Sequence, residues 1–268
     1  MARQTGPLRY KGTLGEIRHF KIKGLKGDFA GLKGGPSGEQ VKTAAEFVRT
    51  RENMNEFGGC AIAGKSLRIG LSQLMRQMSD RQLTGRITSI MKRINLEDQS
   101  EARGYRAILI STQKQYLLGL NFNSNMSFDT IFFAPYAVSA TPDRTSATLT
   151  VDAFNPASFI SAPTGTTHFR LINTVSVLSD FAYNATSGAY EPIDIENNEA
   201  STIAYSDYLD LGTATTAVTT VTAELDGTPT LSADVSVINA VGIEFYQKVG
   251  ADYYLLNSGN ALKINNIF

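Results

Sequence analysis

Residues 166–178, TTHFRLINTVSVL, and 235–246, VSVINAVGIEFY, are dense in Thr, Val, Ile, Leu and aromatic residues, the types that suit a pleated, half-buried surface. Polarity alternates within residues 235–238, and again within residues 148–151 (TLTV), so successive side chains point to opposite faces of a strand. Shorter runs of the same kind fall at 131–136, 147–153, 201–211, 217–225 and 253–256, separated by segments such as ATPDRT, NATSGAY and DGTP. The stretch FYQKVGADYYLLN around Gly250 reads as a hairpin. No strand-helix repetition appears, which disfavours a doubly wound sheet. Residues 121–268 are therefore expected to form an antiparallel, immunoglobulin-like β-sandwich of about seven strands.

Towards the N-terminus the character changes near residue 120. Ser37 with Gln40, and Ser79 with Gln82, have the spacing of capping boxes, in which hydroxyl and amide satisfy the open N–H groups of a helix start. A helix is predicted over about 40–78, with Phe47, Met54, Phe57, Ala61, Gly64, Leu71, Met75 and Met78 as its buried stripe. Gly58, Gly59, Gly64 and Gly70 each weaken such a helix by about 1 kcal/mol, so a break or a close helix crossing is expected near residues 58–64. A second helix, about 80–95, buries Leu83, Ile87, Ile90, Met91 and Ile94 and turns Arg81, Arg86, Lys92 and Arg93 outward. Residues 1–36 hold eight glycines and eight Lys or Arg and read as a basic arm or hairpin, with Phe20 and Ile22 on one face and Lys21 and Lys23 on the other. The fold class is α+β, organised as an arm (1–36), a helical region (37–120) and a sandwich (121–268).

The 268 residues carry 25 Lys and Arg against 25 Asp and Glu, a net charge of zero that hides a strong polarity. Residues 1–120 hold 21 basic and 10 acidic residues, a balance of +11, and residues 121–268 carry −11. One cysteine, Cys60, excludes an intramolecular disulfide framework, and with two histidines leaves too few soft ligands for an ordinary structural zinc site. No apolar run approaches the roughly 20 residues that span a bilayer, and the N-terminus lacks the apolar core of a secretory signal. Synthesis in the cytoplasm is expected, with a particle or an extracellular fibre as a final location.

The sharpest motif is GCAIAGKS, where Gly59, Gly64, Lys65 and Ser66 match the phosphate-loop spacing. A phosphate loop follows a buried strand, whereas the preceding FVRTRENMNEFG is polar and helix-periodic, so close helix packing is the expected role. His19 lies in the basic arm and His168 in a strand, an arrangement that suggests no catalytic triad. Asp194, Glu196 and Glu199 lack the spacing of a calcium loop. No catalytic, cofactor-binding or metal-ligating residue is assigned, and the chain is expected to be non-enzymatic.

Opposite poles on one chain suit head-to-tail association, which closes into rings or runs on as filaments, tubes or particles. On this expectation Phe20, Lys21, Ile22 and Lys23, with Arg49, Arg51, Arg76 and Arg81, form the basic side, and Asp194, Glu196, Asp207 and Asp210 the acidic acceptor. The principal partner is then another copy of the chain. One alternative is nucleic-acid binding by the basic helical half, including Lys65, Arg68, Arg86, Lys92 and Arg93. Another is a sandwich that binds or acts on carbohydrate. The strings KGTLGEIRHFKIKGLKGDFAGLKGGPSGEQ, FVRTRENMNEFG, AGKSLR, GTTHFRL and VGIEFYQ resemble those of an uncharacterised family of bacterial proteins, most strongly over residues 11–110. The resemblance carries no activity with it.

Overall fold

A computed structural model describes residues 2–227 and 229–268; Met1 of the arm and Thr228 of the DGTP segment lie outside it. The described chain forms two compact units that divide between Arg51 and Glu52.

The first unit is a small antiparallel sheet followed by a short helix. Strands β1 (Ala2–Gln4), β2 (Gly12–Leu14), β3 (Ile17–Phe20) and β4 (Asp28–Leu32) lie in the order β1-β4-β3-β2. The basic arm is thus a folded sheet whose edge is a β2–β3 hairpin. Phe20 closes β3 opposite Phe29. Ile22 already lies in a turn, where its carbonyl accepts the Leu25 N–H at 3.2 Å, so the alternation read over residues 20–23 ends at Phe20. Helix α1 (Gly38–Thr43) starts with the expected capping box: the Gln40 N–H donates to Ser37 Oγ, and the Ser37 N–H to Gln40 Oε1.

Helix α2 (Val48–Gly70) contains the boundary between the units and runs unbroken through the glycines at 58, 59 and 64. The break comes later, at Leu71, before α3 (Ser72–Met78). The expected close approach does lie at the glycines: a Cβ at Gly59 would meet the Tyr190 ring at 2.4 Å, and one at Gly64 would meet Ile87 of α4 (Leu83–Glu97) at 2.9 Å. Small residues let the helix come closer than bulky ones would. The buried face of α2 is therefore Gly59, Cys60, Ala63, Gly64 and Leu67, and the predicted stripe is displaced, with Met54 61% and Phe57 59% exposed. The second capping box does not form. Ser79 closes α3, bonding back to the Met75 carbonyl, and α4 starts after Gln82, an N-cap without a side-chain cap whose N–H donates to Asp80 Oδ1 at 2.8 Å.

The remaining strands are β5 (Tyr136–Ala140), β6 (Ser146–Val151), β7 (His168–Ser179), β8 (Phe181–Asn184), β9 (Ala189–Pro192), β10 (Ser201–Tyr205), β11 (Leu209–Asp210), β12 (Thr219–Glu224), β13 (Val235–Val249), β14 (Asp252–Leu255) and β15 (Ala261–Ile267). A six-stranded sheet runs β10-β7-β13-β14, with β11 also on β7 and β15 on β13, and a three-stranded sheet runs β12-β6-β5. Both are antiparallel, and the β13–β14 hairpin turns at Gly250 as expected. Residues 131–136 are not a strand; a 3-10 turn at Phe128–Thr130 precedes them and β5 begins only at Tyr136. NATSGAY, read as a separator, turns the β8–β9 hairpin. Strand β15 was not anticipated, because ALKINNI carries too few β-branched or aromatic residues to stand out.

Strand alternation assigns the two faces of the six-stranded sheet to different partners. Ile172, Leu178, Ile238 and Ala240 share a core with Cys60, Leu67, Ile87 and Met91 of the helices. Phe169, Leu171, Val241, Ile243 and Phe245 share one with Leu149, Val151 and Val221 of the three-stranded sheet. The protein is α+β, with helices on one face of the large sheet and a second sheet on the other. A buried amide relay joins the two sheets: Asn239 donates to Asn173 Oδ1 at 2.7 Å, and Asn173 donates to the carbonyls of Ala147 and Val221 at 2.7 and 2.9 Å. These bonds join one register of the inner strands to the second sheet, while the buried Asn239 Oδ1 has no partner among the described residues. No helix among the described residues is long and apolar enough to cross a membrane.

Candidate interaction surface

The first unit is the most unusual surface of the chain. None of its described side chains is buried, while Leu8, Leu14, Leu25 and Leu32 are exposed, Leu32 at 82%. Residues 1–51 carry 11 Lys and Arg against 4 Asp and Glu, and residues 52–268 carry 14 against 21. Arg9 and Lys21 both reach Asp28, at 3.3 and 3.6 Å, and Lys23, Lys26 and Lys33 are exposed. Phe20 packs near Phe29 at 6.4 Å, and Ile22 is half-buried. Arg49 is exposed, whereas Arg51 donates to the carbonyls of Val41 and Ala44 at 2.8 Å each and so closes the end of α1.

The cations of the helical region divide into two groups. Arg76, Arg81, Lys65 and Arg93 are exposed. Arg86 is held by Asp80 at 2.8 Å and by the carbonyls of Asn121 and Phe122, and Arg68 bonds the Gly64 carbonyl. Lys92 pairs with buried Glu56, whose other oxygen accepts the Gly104 N–H at 2.7 Å. Burial opposes the charge on Glu56, but these donors outweigh it and hold its carboxyl below the usual range. Asp80 behaves alike: burial works against its charge, yet the Ser124 N–H and hydroxyl, the Gln82 N–H and Arg86 bring its pKa down to about 2. Arg86 and Lys92, expected on an open basic face, are thus structural ties within the fold.

Residues 59–66, the phosphate-loop match, lie inside α2, where backbone N–H groups belong to the helix ladder. Ser66 donates to Glu199 Oε1 at 2.6 Å. Burial pushes the Cys60 thiol up to about 12. Among the described residues no group of three His, Cys, Asp or Glu side chains is placed to hold a metal ion.

The four expected acceptor acids lie in two places. Asp194 and Glu196 sit in a loop after β9, where Asp194 accepts the Asn197 N–H at 3.0 Å and Glu196 is exposed. Asp207 and Asp210 flank Tyr208, at one end of a column of rings that composition did not reveal. The Arg170 guanidinium lies 4.5 Å from the Tyr205 ring and 4.7 Å from Tyr208, which stacks at 3.9 Å on Tyr253. His168 and Tyr246 meet the column edge-on, and Lys248 lies 5.2 Å from the Tyr253 ring. Buried Glu244 accepts the Tyr246 hydroxyl at 2.7 Å, and burial raises its carboxyl above the usual range. Arg170 and Tyr253 lie against the Tyr208 ring, and Tyr205 and Tyr208 each remain 37% exposed. The rings are joined by tertiary pairing of β10 and β11 with β7, β7 with β13, and β13 with β14, which no local sequence signal announces.

Comparison with models of protein families, with curated proteins and with solved structures finds no match to this chain.

Proposed function

We propose that this chain is a non-enzymatic structural subunit that assembles with copies of itself, its basic N-terminal part meeting the acidic C-terminal part of the next copy. The supporting observation is the first unit: a four-stranded sheet with no buried side chain among the described residues, exposed leucines and an excess of seven positive charges. A sheet of this size gains its stability by covering an apolar face, and a unit of about 50 residues without a core depends on a partner surface. The remaining 217 residues carry the compensating seven negative charges. The paired three- and six-stranded sheets, read as an immunoglobulin-like sandwich, serve as the rigid platform for the acidic loops, and a particle or fibre is the product. Assembly through two different surfaces is heterologous, so it yields rings or open filaments.

Sedimentation of the full chain across concentration and salt, with electron microscopy of the heavy fractions, tests this. Oligomers that weaken with salt are expected, because charge contacts are screened over about 10 Å at 0.1 M ionic strength. A single sedimenting species of one-chain mass under every condition would overturn the proposal.

A further inference from the structure

The displaced stripe of α2 leaves an apolar groove against α4. It holds about 570 Å³ and is lined by Phe57, Ala61, Gly85, Thr88 and Leu96, with Arg93 at its rim. Phe57 and Leu96 stand 59% and 52% exposed at its sides. The groove is wide because its floor is made of small side chains, and a Cβ at Gly85 would touch nothing within 4 Å.

A complementary feature lies in the acidic part. Residues 193–196, IDIE, present Ile193 at 46% and Ile195 at 69% exposure beside Asp194 and Glu196. This loop is held rigidly. The Ile193 N–H donates to the Asp180 carbonyl at 2.8 Å, the Asp194 N–H to Ser179 Oγ at 2.9 Å, and the Ser179 N–H to Asn198 Oδ1 at 3.0 Å. Glu199 adopts a left-handed backbone (φ 73°) and ties the loop to Ser66 of α2. Ile195 therefore projects from a scaffold that loses little freedom on binding, which favours association.

We infer that the α2–α4 groove receives the 193–196 loop of a second copy, Ile195 entering between Phe57 and Leu96 while Glu196 meets Arg93. The inference rests on the self-assembly reading and adds to it a contact made by the helices of the second unit. Charge decides the occupant: Lys92 of the lining is paired with Glu56, so Arg93 carries the rim's positive charge, the loop is acidic and apolar, and two grooves facing each other would set the two Arg93 side chains together. Groove and loop can meet one way, in a head-to-tail contact, or reciprocally across a two-fold axis.

Sedimentation equilibrium of the full chain compares the wild type with Gly85→Phe, Ile195→Glu, Arg93→Glu and the swap Arg93→Glu with Glu196→Arg. All these positions except Gly85 are exposed side chains, and Gly85 has room for a larger one, so the variants are expected to fold; circular dichroism checks this. Filling the groove or charging Ile195 is expected to weaken association at least tenfold, Arg93→Glu to weaken it less, and the swap to recover most of that loss. If the wild type assembles and Gly85→Phe and Ile195→Glu assemble equally well, the groove belongs to another occupant and this contact is overturned while self-assembly stands. If the wild type stays a single chain throughout, both fall.

Discussion

A methyl group added at Gly59 lands 2.4 Å from the Tyr190 ring, whereas one added at Gly58 meets nothing within 4 Å. Two adjacent glycines in one helix therefore carry opposite consequences. Gly59→Ala is expected to cost about 1–3 kcal/mol through overpacking, and Gly58→Ala to stabilise by up to about 1 kcal/mol through helix propensity. Urea midpoints measure both, and equal shifts would deny the close approach. Cys60 sits beside Gly59 with a thiol pushed by burial to about 12, so alkylation near neutral pH is expected only once the chain unfolds. Rapid labelling of the folded protein would contradict that burial. The glycine cluster was legible in the sequence as a place of close packing. Which glycine meets which ring was not, because Tyr190 arrives from 131 residues away.

At the scale of elements, the start of α4 separates two readings. Sequence spacing places the cap at Ser79; in the structure the N-cap is Gln82, without a side-chain cap, and Asp80 just before it collects Gln82, Ser124 and Arg86. With its pKa lowered to about 2 in the folded state, against about 3.9 for an unperturbed aspartate, Asp80 contributes stability above the unfolded value that is lost as pH falls towards 2. Urea unfolding between pH 5 and 2 is expected to show a shallower loss for Asp80→Asn than for wild type, and an unchanged slope for Ser79→Ala. A wild-type slope in Asp80→Asn would deny that these donors hold Asp80 as a carboxylate. The other misread element, α2, has the same lesson. Its large apolar residues pointed to one buried face, yet the small ones were buried, since closeness of approach to α4 and Tyr190 outweighed side-chain size.

For the whole molecule the decisive quantity is the distribution of charge. Reversing Lys21 and Lys23 to glutamate cuts the positive excess of the first unit from seven to three, by counts from the chain itself. Assembly of this double variant is expected to need roughly tenfold more protein than wild type at low salt and to differ little at high salt, because screening already removes most of the charge contribution there. Concentration-dependent sedimentation reads this directly, and identical curves at low salt would remove the N-terminal sheet from the contact.

The order of residues by itself determined the α+β class, the long strands, read at 166–178 and 235–246 and found at 168–179 and 235–249, the capping box at Ser37, the hairpin at Gly250 and the charge polarity. These are local properties: periodicity, propensity and composition act within a few residues of one another. Only the tertiary structure decided which face of α2 is buried, which cations are spent on Glu56 and Asp80, and how Tyr205, Arg170, Tyr208 and Tyr253 line up. Those outcomes depend on segments far apart in the chain meeting in space, and burial, ion pairing and ring stacking take their energies from the meeting.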